Sequence, residues 1–165
     1  MNCATLFHPL QLGVALPRGA EIGVHTLRQY ITSKHETDKV ILKIDYKNAF
    51  NSIRRDKVLE KVKQYVPSIY PMVWQAYSKP SKLFFNDEVL FSQEGVQQGD
   101  PLGPFLFSLG IMDLMKACCS EVNLWYLDDG TLGGNPETVQ ADLARIIAAS
   151  QDLGLQTTLK SASCM

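Results

Sequence analysis

The sequence feature that most limits the possible fold is the run VNLWYLDDGTLGG at residues 122–134. Apolar residues lie on both sides of two adjacent carboxylates, Asp128 and Asp129, and a glycine follows the pair. Because Asp followed by Gly is a common turn dipeptide between β-strands, the run predicts a hairpin with both carboxylates near its tip. An ordinary turn would look the same, so only the rest of the chain can distinguish a turn from a functional site.

A second strand that carries a carboxylate is predicted in KVILKIDY, residues 39–46. Val40, Leu42 and Ile44 occupy alternate positions, and Asp45 follows them directly. Successive side chains of a strand point to opposite faces of the sheet. We therefore expect Asp45 at the end of a central strand, on the face opposite the three apolar residues.

Helical periodicity and capping signals account for much of the remaining chain. We expect helices at residues 19–34, at 58–66, after Pro67, from Asp100 as one long helix, and from Asn135 to a stop at Gly154. A hairpin turn is expected at Asn86 and Asp87, and a short strand in LQTTLK. The first helix is expected to bury one stripe, formed by Ala20, Val24, Leu27 and Ile31.

The order of these elements predicts the fold class. Helix, strand, two helices, hairpin, helix, hairpin, helix and strand fit an α+β fold, with an antiparallel-rich sheet and helices packed mainly on one face. Since the sequence contains no repeat, low-complexity tract or linker, we expect residues 1–165 to form a single domain.

Composition excludes several classes of function. With 45% hydrophobic residues and a formal net charge of −1, the chain is expected to fold but to lack a general attraction for phosphate. The four cysteines lack zinc-site spacing, and the three histidines lie in no nucleophile motif. Neither a membrane span nor a secretory signal is recognised, so an intracellular protein is expected.

Three stretches occur in a meaningful order: KIDYKNAFNSI at 43–53, EGVQQGDPLGP at 94–104 and YLDDG at 126–130. They resemble the motifs of reverse transcriptases: a first carboxylate strand followed by an aromatic residue, a Gln-Gly loop before a helix, and a Tyr-x-Asp-Asp signature. QLGVALPRGAEIGVHTLRQYI and LGLQTTLKS add a resemblance to enzymes of non-LTR retrotransposons. Together the matching segments resemble the palm domain of this hand-shaped polymerase family.

This resemblance implies nucleotidyl transfer from deoxynucleoside triphosphates to a primer 3′-hydroxyl on an RNA or DNA template. Such a reaction uses two divalent ions about 3.5–4 Å apart, Mg²⁺ or alternatively Mn²⁺, and hard cations take oxygen ligands. By resemblance, Asp45 and Asp128 bridge the ions, Asp129 supports them, and the Tyr46 carbonyl is a further ligand. Lys160 would protonate or neutralise the departing pyrophosphate, although a plain surface lysine is the alternative.

The resemblance also implies contacts with the incoming nucleotide. Phe50 would act as a steric gate against a 2′-hydroxyl, which favours a DNA-making enzyme, although an ordinary core phenylalanine is the alternative. Gln98 and Gly99 would line the nascent base pair, and the alternative is a simple loop before a helix. For Asp100, capping of that helix is a sufficient role. Arg54, Arg55 and Lys57 are interpreted either as phosphate contacts or as a solvated face.

The sequence also departs from the family pattern. The basic fingers motifs and a thumb are not recognised, so we expect missing segments of a larger polypeptide and weak or no activity of this chain alone. Asn51 stands where many relatives carry Asp, a change that we expect to be tolerated. The rival hypotheses are a noncatalytic retroelement remnant or interaction module, and a nucleotide cyclase built on a related palm.

Overall fold

The structure is a computed structural model that describes residues 6–33 and 38–164. Its elements are α1 (Gly19–Thr32), β1 (Val40–Lys47), α2 (Ala49–Ser52), α3 (Arg55–Tyr65), a 3₁₀ turn (Pro67–Ile69), α4 (Tyr70–Tyr77), β2 (Ser81–Phe85), β3 (Glu88–Ser92), α5 (Gly103–Gly110), α6 (Met112–Lys116), β4 (Val122–Tyr126), β5 (Asp129–Gly134), α7 (Pro136–Asp152) and β6 (Gln156–Cys164). The α+β class and the order of strands and hairpins are confirmed, but three α-helices, and not the expected two, lie between β1 and the first hairpin. No helix of the described ranges is long and apolar enough to cross a bilayer.

The main sheet has four strands in the order β4-β5-β1-β6, and every neighbouring pair is antiparallel. β1 is therefore a central strand, as predicted. β2 and β3 form a separate hairpin whose turn residue Asn86 has a φ of 52°. Antiparallel neighbours need only a short connection, so the turn of each hairpin lies at one end of the sheet to which its strands belong.

The core lies on one face of the main sheet. Leu42 and Ile44 of β1 are buried there, together with the apolar residues of α5 and the inner side of α7. Asn135 begins α7, since its side chain accepts a 2.9 Å hydrogen bond from the Glu137 amide. Asp45 is half-buried and occupies the alternate position, as the strand periodicity predicts.

The expected long helix from Asp100 is instead two short helices. Asp100 does accept a 2.8 Å hydrogen bond from the Leu102 amide, but the helix begins only at Gly103. Ile111, with φ −93° and ψ 4°, separates α5 from α6. Apolar periodicity continues across this break because both short helices bury residues in the same core.

The predicted burial of the α1 stripe is wrong. Val24 and Ile31 are 58% and 48% exposed, and Gly19 is the buried residue of this helix. An open groove of about 260 Å³ separates α1 from the sheet, with Leu27 of α1 and Thr131 of β5 among its lining residues. Periodicity identified the helix but not whether another element covers its apolar side. Residue 34, the predicted end, lies outside the described ranges.

Candidate functional site

The carboxylate pair lies at the predicted hairpin tip. Tyr126 of β4 pairs with Asp129 of β5, which leaves Leu127 and Asp128 as the two turn residues. Leu127 has a φ of 56°, a left-handed conformation that is costly for a residue with a Cβ atom. The turn therefore carries one aspartate, and the strand that follows begins with the other.

The strand register makes Asp45 and Asp129 neighbours. β1 and β5 are antiparallel, and their last paired residues are Ile44 and Gly130. Continuing this register by one residue sets Asp45 beside Asp129, with both side chains on the face opposite the core, because directly opposed residues share a face. On its other side Asp45 pairs with Thr158 of β6. Two hard oxygen donors at adjoining strand ends suit a divalent cation.

The described ranges contain no group of three His, Cys, Asp or Glu side chains arranged to hold a metal ion. The fold thus brings Asp45 and Asp129 to adjoining positions, and Asp128 precedes Asp129 in the chain. Convergence of all three carboxylates on one pair of ions stays a prediction. The donor chemistry fits Mg²⁺ or Mn²⁺, since both favour carboxylate oxygens.

Tyr46 contributes its side chain to the core. It is 3% exposed, its hydroxyl accepts a 3.1 Å hydrogen bond from Ser150, and its ring stacks on Trp125 at 6.3 Å. Burial raises the pKa of Tyr46 to about 12, because an apolar environment disfavours the phenolate. Only the backbone carbonyl of Tyr46 is thus left for the predicted ligand role.

Phe50 lies on α2, which follows Asn48 in a left-handed conformation with φ 51°. The Phe50 ring is half-buried and stacks on Phe107 at 4.6 Å, with 17° between the planes. One part of the ring thus packs on the core while another part remains accessible. The role of Phe50 as a steric gate stays a prediction, whereas the packing of its ring against Phe107 is observed. The side-chain amide of Asn51 donates a 2.7 Å hydrogen bond to the side-chain oxygen of Asn48, which supports this turn.

Gln98 and Gly99 lie in an exposed loop next to α2. The Val96 amide donates to the Phe50 carbonyl at 2.7 Å, so the loop and the aromatic residue are directly connected. Gly99 has a φ of 86°, and apart from Gly99 and its two chain neighbours no atom of the described residues lies within 4 Å of the place where a Cβ atom would be. Glycine is required here by conformation, and the space beside it is open to a ligand.

Tyr77 and Arg55 support this loop, although neither was predicted to do so. The Tyr77 hydroxyl donates to Asp100 and accepts a 3.2 Å bond from the Gln97 amide. The pKa of Tyr77 is raised to about 12, mainly by burial and secondly by the hydrogen bond to Asp100. Arg55 donates to the Gly95 carbonyl at 2.8 Å. A lone tyrosine and one arginine in a basic run give no sequence signal for such roles.

Both alternatives considered for Arg55 are thus wrong, because it is buried and also donates to the carbonyl and hydroxyl of Ser92. Burial lowers the pKa of its guanidinium. Arg54 and Lys57 instead form exposed ion pairs with Asp56 and Asp152.

Lys160 can be placed by its backbone alone. β6 pairs with β1 through Leu159 opposite Ile44 and Ser161 opposite Lys43, so Lys160 is the extra residue of a bulge. This position lies beside β1, near the end of the strand where Asp45 is found. A role at the pyrophosphate stays a prediction.

Gln11 is a further residue that sequence reasoning missed. It is 1% exposed, and its side chain bonds to the backbone of Leu127 in the turn. A lone amide within the apolar segment LQLG was the available signal, since buried amides need hydrogen-bond partners. The partner, about 116 residues away in the chain, could not be identified from the sequence.

Comparison with known proteins shows the family to which this chain belongs. A family model described as reverse transcriptase (RNA-dependent DNA polymerase) matches residues 1–162. The retrotransposable element SLACS 132 kDa protein of Trypanosoma brucei gambiense is 32% identical over 127 residues, which cover 68% of this chain and 10% of that protein. The chain thus spans only a small part of this relative.

Solved structures show the same fold at low sequence identity. Apo telomerase from Candida tropicalis matches with a TM-score of 0.64 and 12% identity over 88% of this chain and 32% of that chain. Telomerase from the same organism in complex with a TWJ fragment of telomeric RNA matches with a TM-score of 0.64 and 13% identity, over 99% and 32%. With its palm-like sheet and its family match over nearly the whole length, this chain belongs to the reverse transcriptase family.

Proposed function

We propose that this chain is the catalytic core of an RNA-directed DNA polymerase of a retrotransposon. The observation that carries the proposal is the β1–β5 register, in which Ile44 opposes Gly130 and Asp45 therefore adjoins Asp129. If Asp128 and Asp129 were only part of an ordinary turn, nothing would require a carboxylate of the separate strand β1 to lie beside them. The family membership and the SLACS relative support the same conclusion.

The residues proposed to hold two Mg²⁺ ions, or Mn²⁺ ions, are Asp45, Asp128, Asp129 and the Tyr46 carbonyl. When bound, such ions activate the attacking 3′-hydroxyl and shield the departing pyrophosphate. The protein orients the donors: β1 and β5 carry Asp45 and Asp129, and the hairpin turn carries Asp128. Lys160, in the β6 bulge, is proposed to supply a proton or positive charge to the leaving group.

The incoming deoxynucleotide is proposed to lie between Phe50 and the Gln98–Gly99 loop. Their connection through the Val96 amide supports this, because it fixes the spacing of the two segments. A ring at the sugar would exclude a 2′-hydroxyl and so favour deoxynucleotides. The open space beside Gly99 supports close approach of a base pair.

The proposed partners are a primer and an RNA or DNA template. The telomerase neighbour whose structure contains an RNA fragment makes an RNA partner reasonable for this fold. With a net charge of −1, however, the chain has little general attraction for phosphate backbones. We therefore propose that tight primer–template binding needs additional basic polypeptide, such as fingers and thumb segments, and that the isolated chain extends primers weakly or not at all.

Calorimetric titration with Mn²⁺ and with Mg²⁺ tests the proposed site without requiring polymerase activity. Asp45→Ala is expected to abolish most of the carboxylate-dependent uptake. Asp87→Ala, in the exposed β2–β3 turn, is the matched control and should bind as the unsubstituted chain does. Uptake that is absent, or equal in both variants, would contradict the metal site and favour a noncatalytic palm remnant.

Primer extension with Mg²⁺ and deoxynucleotides tests the reaction itself. We expect little product from this chain alone and Asp128-dependent product when basic fingers and thumb segments of a related element are fused to it. Robust Asp128-dependent extension by the isolated chain would contradict the requirement for additional polypeptide. Product analysis would also reveal a cyclase, which would release cyclic nucleotides instead of extended primers.

A further inference from the structure

Gln11 contacts both backbone polar groups of one turn residue. Its Nε2 donates a 3.0 Å hydrogen bond to the Leu127 carbonyl, and its Oε1 accepts a 2.7 Å bond from the Leu127 amide. The same Oε1 accepts a 3.0 Å bond from the Gly13 amide. A buried amide side chain therefore satisfies the peptide groups at the tip of the β4–β5 hairpin.

Leu127 needs such support because of its conformation. A φ of 56° is rare for a residue with a Cβ atom and persists only when surrounding contacts over-determine it. Glycine would adopt this conformation without strain, but the chain has leucine here. Gln11 provides two of the contacts that fix Leu127, and Asp128 and Asp129 follow immediately.

Gln11 is itself held by backbone pairing at the edge of β4. The Trp125 amide donates to the Leu10 carbonyl at 2.8 Å, and the Leu12 amide donates to the Trp125 carbonyl at 2.7 Å. These bonds form a parallel bridge between Gln11 and Trp125, and Trp125 is fully buried. The segment before α1 is thus fixed to β4, the strand that leads into the turn, and the Gln11 side chain reaches from this segment to Leu127.

We propose that Gln11 is a positioning residue that sets the orientation of Asp128 and Asp129 for divalent ions. This inference rests on the proposed function, because it assigns those two aspartates to a metal site. Residues that orient metal ligands typically change metal affinity about 10–100-fold when they are substituted. Gln11 would act in this way through the peptide groups that precede the ligands, without touching the ions.

Gln11→Met is the informative substitution, because methionine has a similar length and fits apolar surroundings but reproduces none of the three backbone hydrogen bonds of Gln11. Val62→Ala is the matched control: it removes buried volume from α3, away from the turn, and so lowers stability without altering the Leu127 contacts. Both variants are compared with the unsubstituted chain and with Asp45→Ala. Thermal unfolding establishes that the two destabilised variants remain folded at the temperature of measurement.

Amide hydrogen exchange reports on the turn directly. We expect the Leu127 and Gly13 amides of Gln11→Met to exchange about tenfold faster than in the unsubstituted chain, since each loses its acceptor. The Trp125 amide, which donates to Leu10, should change no more than it does in Val62→Ala. Unchanged exchange at Leu127 would overturn the inference.

Mn²⁺ affinity, measured by electron paramagnetic resonance, separates this inference from the proposed function. We expect Gln11→Met to bind Mn²⁺ at least about tenfold more weakly and Val62→Ala to bind it normally. Asp45-dependent binding that Gln11→Met leaves intact would overturn the positioning role and leave the proposed function standing. If the unsubstituted chain shows no Asp45-dependent binding, the proposed function fails and the positioning role fails with it.

Discussion

The Val96 amide donates a 2.7 Å hydrogen bond to the Phe50 carbonyl, and this bond connects the proposed steric gate to the loop that carries Gln98 and Gly99. A second bond, from the Gly95 amide to the Ile53 carbonyl at 2.8 Å, lies beside it. Because both bonds join backbone groups, the spacing between α2 and the loop does not depend on side-chain rotamers. Substitutions at the loop's glycines therefore separate its anchoring from its contact with a nucleotide.

Gly95→Ala should destabilise the protein strongly. A Cβ atom at Gly95 would lie 2.5 Å from backbone atoms of Asn51 and from the Phe50 carbonyl, and the φ of 71° is strained for alanine. Since backbone cannot move aside cheaply, we expect a loss of about 2–4 kcal/mol in the free energy of unfolding, measured in urea.

Gly99→Ala is the matched control for that substitution. It shares the positive φ, but beyond its chain neighbours no atom of the described residues lies within 4 Å of the added Cβ, so we expect a loss of only about 1–2 kcal/mol. In an active polymerase it should weaken deoxynucleotide binding, because the Cβ would occupy the open space beside the loop. Equal destabilisation by the two substitutions would contradict the anchoring role of Gly95.

Tyr77→Phe should loosen the same loop from its other side. The substitution removes the hydroxyl that donates to Asp100 and accepts from the Gln97 amide, and Tyr77 is buried. We expect a loss of about 1–3 kcal/mol in unfolding free energy, and faster exchange of the Gln97 amide. Tyr70→Phe is the control, since the Tyr70 hydroxyl has no hydrogen bond within the described ranges. An equal loss of unfolding free energy in Tyr70→Phe would count against the prediction for Tyr77.

Arg55→Lys tests whether geometry or charge matters at that buried position. Lysine keeps the positive charge but cannot reproduce the fork of bonds to the Gly95 carbonyl and to the carbonyl and hydroxyl of Ser92. We expect a loss of about 1.5–3 kcal/mol in unfolding free energy. Arg54→Lys, on an exposed ion pair, should change stability by less than about 1 kcal/mol; comparable losses at both positions would contradict the assignment.

The main sheet was largely predictable because its signals are local. Alternation identified β1 and the face of Asp45, and Asn135 and Gly154 marked the ends of α7. The Asp-Gly dipeptide predicted the β4–β5 hairpin, but the turn itself lies at Leu127 and Asp128, and Asp129 and Gly130 begin β5. Each signal lies within a few residues of the feature that it produces. For that reason the strands that carry the carboxylates followed from the sequence, whereas the start of α5 and the exact turn residues of the β4–β5 hairpin did not.

The supporting contacts were not predictable because they join distant parts of the chain. Gln11 meets Leu127, and Arg55 meets Ser92 and Gly95, through side chains whose partners no periodicity identifies. The exposure of Val24 has the same origin, since an apolar stripe does not reveal whether another segment covers it. Local patterns therefore locate the candidate ligands, while tertiary contacts decide how firmly they are held.

Tyr46→Phe tests the burial of the tyrosine beside Asp45 through the pH dependence of stability. The pKa of Tyr46 is raised to about 12 from an unfolded value of 10.0, so its folded state retains the proton longer than its unfolded state does. Its contribution is fully present below about pH 10 and is lost as the pH rises towards 12, by roughly 2–3 kcal/mol in total. Urea unfolding between pH 8 and about pH 11.5 measures this loss.

At neutral pH we expect Tyr46→Phe to cost about 0.5–1.5 kcal/mol, because Ser150 loses the hydroxyl to which it donates. Above pH 10 the difference in stability between the two proteins narrows, because the phenylalanine variant has no proton to lose at this position and its stability should fall less steeply. Tyr77, whose pKa is also raised to about 12, remains in both proteins and cancels from the difference. Parallel stability curves up to about pH 11.5 would mean that Tyr46 ionises as an exposed tyrosine does, and that its side chain is not committed to the core.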